Sequence, residues 1–351
     1  MQRDDGIPAV SEQDDLRPRE PWRVRWARRA VTIPAYVGLL VAYSGLVPAL
    51  LPAVALYDVA RKSRFAATRT VGFFGWYLAC EIAGLLAAFV LWVAYRCLPG
   101  VGPEDFRRWN FRLQCVWARA LGGGAFRIYG MTIELDEPAA LGRRPLLLLI
   151  RHASTADTIL AAMLVASRHD IVLRYVLKRE LLWDPCLDVV GNRLINVFVR
   201  RGREDTATDV ASVAALAGGL RAGQGVLIYP EGTRFSTKKR AQILAKLAQR
   251  GDDVGARRAS GLHHVLPPRL GGTMALLERA IGWDVAVCAH VGLEGSASFG
   301  ELWNGALVGR RVRVRMTVVP SESLPTAPDG KVEWLYDRWR EVDRFIATQA
   351  T

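Results

Sequence analysis

A chain of 351 residues, 51% of them hydrophobic and carrying a formal net charge of +13, has room for one catalytic domain with an appendage or for two small domains. The basic excess is nearly all arginine and marks a surface drawn to polyanions, either nucleic acid or anionic lipid. Five scattered cysteines without a C-x-x-C pair speak against a disulfide framework or a cysteine zinc site and suit a reducing compartment.

Residues 1–29 are polar and predict a disordered tail. From Ala30 to Tyr57 there is no charge at all, a run longer than the roughly 20 residues that cross a bilayer. It follows too long a polar lead for a cleaved signal peptide. A second run, Val71 to Tyr95, is broken only by Glu81, and a basic loop with Arg61, Lys62, Arg64 and Arg69 separates the two. This pattern predicts a membrane helical hairpin over 30–99, with two buried core helices as the alternative. Pro34, Pro48 and Pro52 weaken the first span and leave room for a re-entrant or monotopic hairpin. Arginines on the leading flank and in the loop lean toward both ends lying in the cytoplasm.

From residue 104 to 351 the pattern is that of a soluble α/β domain. Pro145 to Ile150 reads as a buried strand, and Ile171 to Leu177, Leu194 to Val199, Val226 to Tyr229 and Val285 to Val291 read as further strands. Helical patterns follow or intervene at Thr158 to Ser167, Asp209 to Arg221 and Gly272 to Ala280. The alternation predicts a mainly parallel sheet flanked by helices. Arg311 to Val319 alternates as a strand with one solvated face, and Lys331 to Ala347 reads as an amphipathic terminal helix. Lys238 to Ser260 reads as a surface insertion.

Three strand ends carry residues able to do chemistry. His152 follows the first buried strand, with Asp157 five residues on. A turn there would bring the carboxylate onto the imidazole, fixing its tautomer as it takes a hydroxyl proton. Ser154 to Asp157 also matches a helix capping box, the plainer reading of the acid. The five-residue spacing is wrong for two metal ligands on one helix face. After another strand stands Tyr229-Pro-Glu-Gly-Thr-Arg-Phe-Ser236, in which Gly232 permits a tight turn, Thr233 and Ser236 offer hydroxyls, and Arg234 can grip a phosphate bidentately. Glu231 could orient that arginine or bind a substrate hydroxyl; an ordinary β–α loop is the alternative. Arg201, after Val197-Phe-Val-Arg, is the third basic strand end.

In this order the blocks resemble the 1-acyl-sn-glycerol-3-phosphate acyltransferases and related lysophospholipid acyltransferases over roughly residues 145 to 295. The family's H-x-x-x-x-D stands as His152 to Asp157, its E-G-T-R as Glu231 to Arg234, and its second block as Phe198 to Arg201. Lys178 to Pro185 is similar to the K-x-x-L-x-x-x-P segment, and His264 to Gly272 resembles the V-L-x-P-R-x-x-G segment of the long-chain and lysocardiolipin-type branch. Three departures stand out. Arg151 replaces a common asparagine, Asn196 replaces a small residue, and Val287 to His290 occupies the place of a V-P-[IV] block without its proline.

The resemblance implies a glycerolipid acyltransferase-like domain in which His152 and Asp157 are catalytic. Glu231, Gly232, Thr233, Arg234, Arg201 and Lys178 would serve the acceptor phosphate. No metal or cofactor is implied beyond acyl-CoA or acyl-carrier protein as co-substrate. The acceptor would be a lysophospholipid, first of all 1-acyl-glycerol 3-phosphate, with lysocardiolipin or lysophosphatidylinositol as alternatives. Expected surroundings are membrane lipid without nucleic acid, in a bacterial inner membrane with the domain facing the cytoplasm. A hydrolase or transacylase and a non-catalytic lipid-binding homologue are the competing readings.

Overall fold

The computed structural model describes residues 20–136, 141–154, 156–199, 207–294 and 298–349. Two long apolar helices, α1 (Trp22–Arg61) and α2 (Ala66–Cys97), form the expected hairpin, and an amphipathic helix, α3 (Pro103–Tyr129), follows. At 40 residues, α1 is roughly 60 Å long at 1.5 Å per residue, about twice a bilayer's hydrocarbon thickness. It runs unbroken through Pro34, Pro48 and Pro52. It also begins at Trp22, so the last eight residues of the segment expected as disordered tail are helical; residues 1–19 lie outside the described residues. Both helices are long and apolar enough to cross a membrane.

The hairpin turn is held by a carboxylate. Asp58 is buried and accepts the Thr68 amide at 2.7 Å, the Thr68 hydroxyl at 2.7 Å and the Ala67 amide at 3.2 Å. Three donors on one side chain fix how α2 leaves the turn.

The remaining strands and helices are β1 (Thr132–Asp136), β2 (Leu146–Ile150), α4 (Asp157–Ala161) continued by a π-turn into α5 (Ser167–His169), β3 (Val172–Lys178), α6 (Pro185–Gly191), β4 (Val197–Val199), α7 (Ala207–Ala215), β5 (Gln224–Ile228), α8 (Thr237–Gln249), α9 (Asp253–Ser260), α10 (Leu270–Arg279), β6 (Asp284–Val291), α11 (Phe299–Trp303), β7 (Arg311–Val319) and α12 (Pro328–Gln349). One sheet has the order β1-β7-β6-β2-β5-β3-β4. The five strands from β6 to β4 are parallel, while β7 is antiparallel to β6 and parallel to β1. The sheet is therefore mainly parallel with a reversed edge pair. β1, exposed along most of its length, carries too little apolar pattern to be read as a strand.

Why β2 is apolar without alternation is now plain. Leu146, Leu148 and Ile150 enter the core facing α3, α4 and α6, whereas Leu147 and Leu149 enter the core under α7, α10 and α12. A central strand covered on both faces has no solvent side. The segment 238–260, expected as a surface insertion, is two surface helices, α8 and α9.

The hairpin is bolted to the α/β domain by polar contacts on an apolar surface. Glu81, the one acid of the second apolar run, is buried and accepts the Trp117 indole N–H and the Cys186 amide, each at 3.1 Å. Asp188 of α6, also buried, receives Arg28 and Arg29 of α1, each at 2.9 Å. Removing that carboxylate leaves Arg29 without its acid and Arg28 with Glu20 alone, a loss of up to about 3–5 kcal/mol. Asp188→Ala is expected to lower the thermal midpoint in detergent and to expose the start of α1 to protease; an unchanged midpoint and digestion pattern would contradict this.

Candidate active site

The carboxyl ends of β2, β5 and β3 lie side by side, and each leads into residues picked out by the sequence. His152 follows β2 by two residues, and Asp157 opens α4. Between them the chain turns back so that His152 Nδ1 lies 3.0 Å from Asp157 Oδ2. The same oxygen accepts the amides of Ala153 at 2.7 Å and Ser154 at 2.9 Å, and Oδ1 accepts the Ser154 hydroxyl at 2.7 Å. A carboxylate ringed by donors is an anion, so Nδ1 of the imidazole carries the proton and the lone pair sits on Nε2. Asp157 thus binds the turn amides and faces the histidine, but the expected capping box is not formed, since Ala156 is the N-cap of α4 and makes no side-chain cap.

Asp157 is fully buried. Burial alone would raise its pKa, but His290, His152 and the Ser154 amide outweigh that and hold it below the usual carboxylate range. The Tyr229 ring, 4.6 Å from that of His152 and tilted by 33°, backs the imidazole.

Glu231 has a different part from the one expected. Its carboxyl is 1% exposed and accepts the His152 amide at 2.8 Å through one oxygen and the Leu266 amide at 2.9 Å through the other. Those bonds occupy it with backbone, away from any phosphate. It fixes the peptide that carries the imidazole and ties it to the segment before Arg269. The Phe235 amide donates to the His152 carbonyl at 3.0 Å, so the loop grips His152 at both its N–H and its C=O.

Gly232 has φ +64°, and a Cβ there would lie 2.7 Å from the Arg269 side chain. Only glycine lets that guanidinium lie across the turn. Thr233 Oγ1 and the Arg234 carbonyl accept the Lys239 ammonium at 3.0 and 2.9 Å. Gly232, Thr233 and the half-buried Arg234 therefore sit in one cationic loop with Lys239 and Arg269. Sequence reasoning had not assigned these last two; the signal for Arg269 was the Pro-Pro-Arg segment, whose fold partner was invisible. Lys178 ends β3 on the same sheet edge, two strands from His152. Arg201 lies outside the described residues.

Two of the departures acquire roles. Asn196 accepts the Tyr175 amide at 2.9 Å and donates to the Gly191 carbonyl at 3.0 Å, closing the α6–β4 turn onto β3. Arg151, 2% exposed, donates to the His290 carbonyl at 2.6 Å and to Glu294 at 2.5 Å. Further out, Asp343 of α12 accepts the amides of His263, His264 and Val265 at 2.8, 2.5 and 3.2 Å, immediately before the Leu266 amide that Glu231 takes.

Beside Asp157 a cavity of about 400 Å³ opens between the hairpin and the sheet domain. Its walls include Phe73 and Tyr77 of α2, Trp117 and Leu121 of α3, Ile159 of α4 and Leu187 of α6. The lining is predominantly apolar, as a hydrocarbon chain requires.

Residues 132–271 match the family model described as Acyltransferase. Over 272 residues, 73% of this chain and 72% of the relative, the sequence is 26% identical to 1-acyl-sn-glycerol-3-phosphate acyltransferase epsilon of Mus musculus. The fold aligns with the crystal structure of the 1-acyl-sn-glycerophosphate acyltransferase of Thermotoga maritima at a TM-score of 0.46 and 16% identity, covering 76% of this chain and 98% of that one.

Two expectations follow from the geometry. Asp157→Asn keeps the shape but lets the amide face Nδ1 wrongly, and is expected to lower kcat about 10³–10⁴-fold with KM little changed; near-normal kcat would contradict the assignment. Burial pushes Glu231 up to about 8, against the pull of the His152 and Leu266 amides. A carboxyl raised above its unfolded value favours the folded state at low pH, and that advantage declines as pH rises toward about 8. The thermal midpoint should therefore fall as pH rises from about 4.5 to about 8 and level off above it, with a shallower slope in Glu231→Gln; equal slopes would refute this.

Proposed function

We propose, from the match of residues 132–271 to the Acyltransferase model and the similarity to a 1-acyl-sn-glycerol-3-phosphate acyltransferase, that this chain is an O-acyltransferase that moves a fatty acyl chain from a thioester of coenzyme A or acyl-carrier protein to the free hydroxyl of 1-acyl-glycerol 3-phosphate, giving phosphatidic acid. The observation that carries this reading is an imidazole oriented by Asp157 and tied through its backbone to the Glu231–Phe235 turn, on the sheet edge whose neighbours Ala156 and Thr158 line an apolar cavity walled by the hairpin. Other lysophospholipids are the second choice of acceptor, since the loop recognises phosphate rather than a whole headgroup.

In the proposed reaction the acceptor phosphate rests against Arg234 and Arg269, with Lys239 adding charge behind them. Held there, the glycerol hydroxyl meets His152 Nε2. His152 takes the hydroxyl proton as the oxygen attacks the thioester carbonyl, and Asp157 steadies the imidazolium. The tetrahedral intermediate collapses with loss of the thiolate, which recovers the proton from His152. Fixing two substrates on one edge turns a bimolecular encounter into a local one, the main source of rate available here. The apolar cavity takes an acyl chain sliding in past α2. The hairpin would sit in a bacterial inner membrane with the sheet domain on the cytoplasmic side, where acyl thioesters are made.

The test is transfer of labelled acyl from acyl-CoA, then from acyl-carrier protein, to lysophosphatidic acid by detergent-purified protein. Label should appear in phosphatidic acid, fall about 10³-fold or more in His152→Ala, and require about tenfold more lysophosphatidic acid in Arg234→Gln, as expected for loss of a charge-assisted hydrogen bond. Free fatty acid in place of the diacyl product would identify a hydrolase. No transfer from either donor by folded protein would leave a lipid-binding role.

A further inference from the structure

Two departures of this sequence from the family pattern, Arg151 and the Val287 to His290 segment, meet in space. The Arg151 side chain grips the His290 carbonyl at 2.6 Å, and His290 Nε2 lies 3.1 Å from the Arg151 carbonyl. This reciprocal pair extends the β2–β6 ladder by one step past the Arg151 amide, which donates to the Cys288 carbonyl at 3.1 Å. It places a second imidazole against the residue next to His152.

His290 Nε2 is also 3.5 Å from Asp157 Oδ1, the oxygen not used by His152. At that length the contact is mainly electrostatic, and the shorter bond to the Arg151 carbonyl aims the N–H. Both neighbours of Nε2 are acceptors, so Nε2 carries the proton. His290 has no exposed surface, and burial, with the Arg151 guanidinium acting in the same direction, pushes its pKa down against Asp157 and Glu294.

We propose that His290 is a positioning residue for acyl transfer: its Nε2–H, aimed at the Arg151 carbonyl and shared at longer range with Asp157 Oδ1, helps keep Oδ2 turned toward His152 Nδ1. The Ser154 hydroxyl donates to Oδ1 at 2.7 Å and His290 Nε2 lies against the same oxygen at 3.5 Å, and together they oppose rotation of the carboxylate. Arg151 serves the same end by anchoring the His290 backbone and pairing with Glu294.

The proposal rests on His152 and Asp157 as the catalytic pair, and two substitutions of similar polarity test it separately. His290→Gln can return an N–H to the place of Nε2, whereas His290→Asn is one bond too short to reach Asp157. Acyl transfer is measured well below each protein's thermal midpoint, with His152→Ala as the control. The expected result is a kcat about 10–100-fold lower in the Asn protein, with KM for both substrates within about twofold, and kcat within about threefold of normal in the Gln protein. If the Asn protein does not fold, His290→Phe, which keeps ring volume without the N–H, should show the same loss. Equal kcat in the Gln and Asn proteins, normal kcat in a folded Phe protein, or failure of both the Asn and Phe proteins to fold would assign His290 to the fold and overturn the proposal. Full activity in His152→Ala would instead remove the catalytic pair itself, a separate failure.

Discussion

An ionised carboxylate with no access to water has to be surrounded by donors, and Asp157 is in that position at the carboxyl edge of the sheet. Leaving such a charge unpaired costs several kcal/mol, so the turn from Ala153 to Ser154 must deliver two amides and a hydroxyl to it. That requirement fixes the backbone between β2 and α4, and with it where the His152 imidazole can stand. One strand away, the buried Glu231 carboxyl binds the amide of His152 itself. The base is thus held through its main chain by one acid and through its ring by another. Little in its placement is left to its own rotamer preferences.

The same economy of buried acids joins the hairpin to the sheet domain. Glu81 sits where an apolar helix would otherwise run uninterrupted, and its partners Trp117 and the Cys186 amide belong to α3 and α6. Asp188 takes two arginines from the start of α1. Directional contacts of this kind choose one docking angle where apolar packing alone would accept several. The cavity between α2, α3, α4 and α6 keeps its shape because that angle is set.

Much of the site was legible because its residues follow strands whose apolar runs are unmistakable. His152 and Asp157 lie within six positions of each other, and the Glu231 to Arg234 block carries its own turn glycine. What stayed hidden depends on contacts across long sequence separations. Glu231 looked like a ligand for substrate because a carboxylate beside an arginine usually faces outward; its two backbone partners come from residues 152 and 266. The pairing of Arg151 with His290 spans 139 positions and had registered only as two unrelated irregularities. Among the elements, β1 escaped notice because an exposed edge strand has no buried face to leave a pattern, and the start of α1 escaped because charged residues at a helix end resemble a disordered tail.

Asp343 gives the chain a temporal property. It stands on α12, which is made well after residues 263–265, yet it organises their amides, next to the one that Glu231 requires. On a translating ribosome the hairpin emerges first and can reach the bilayer while the strands are still being made. Throughout that interval the loop carrying Arg269 lacks its anchor. The hairpin can therefore be complete before that loop is anchored, and the anchor arrives only with α12.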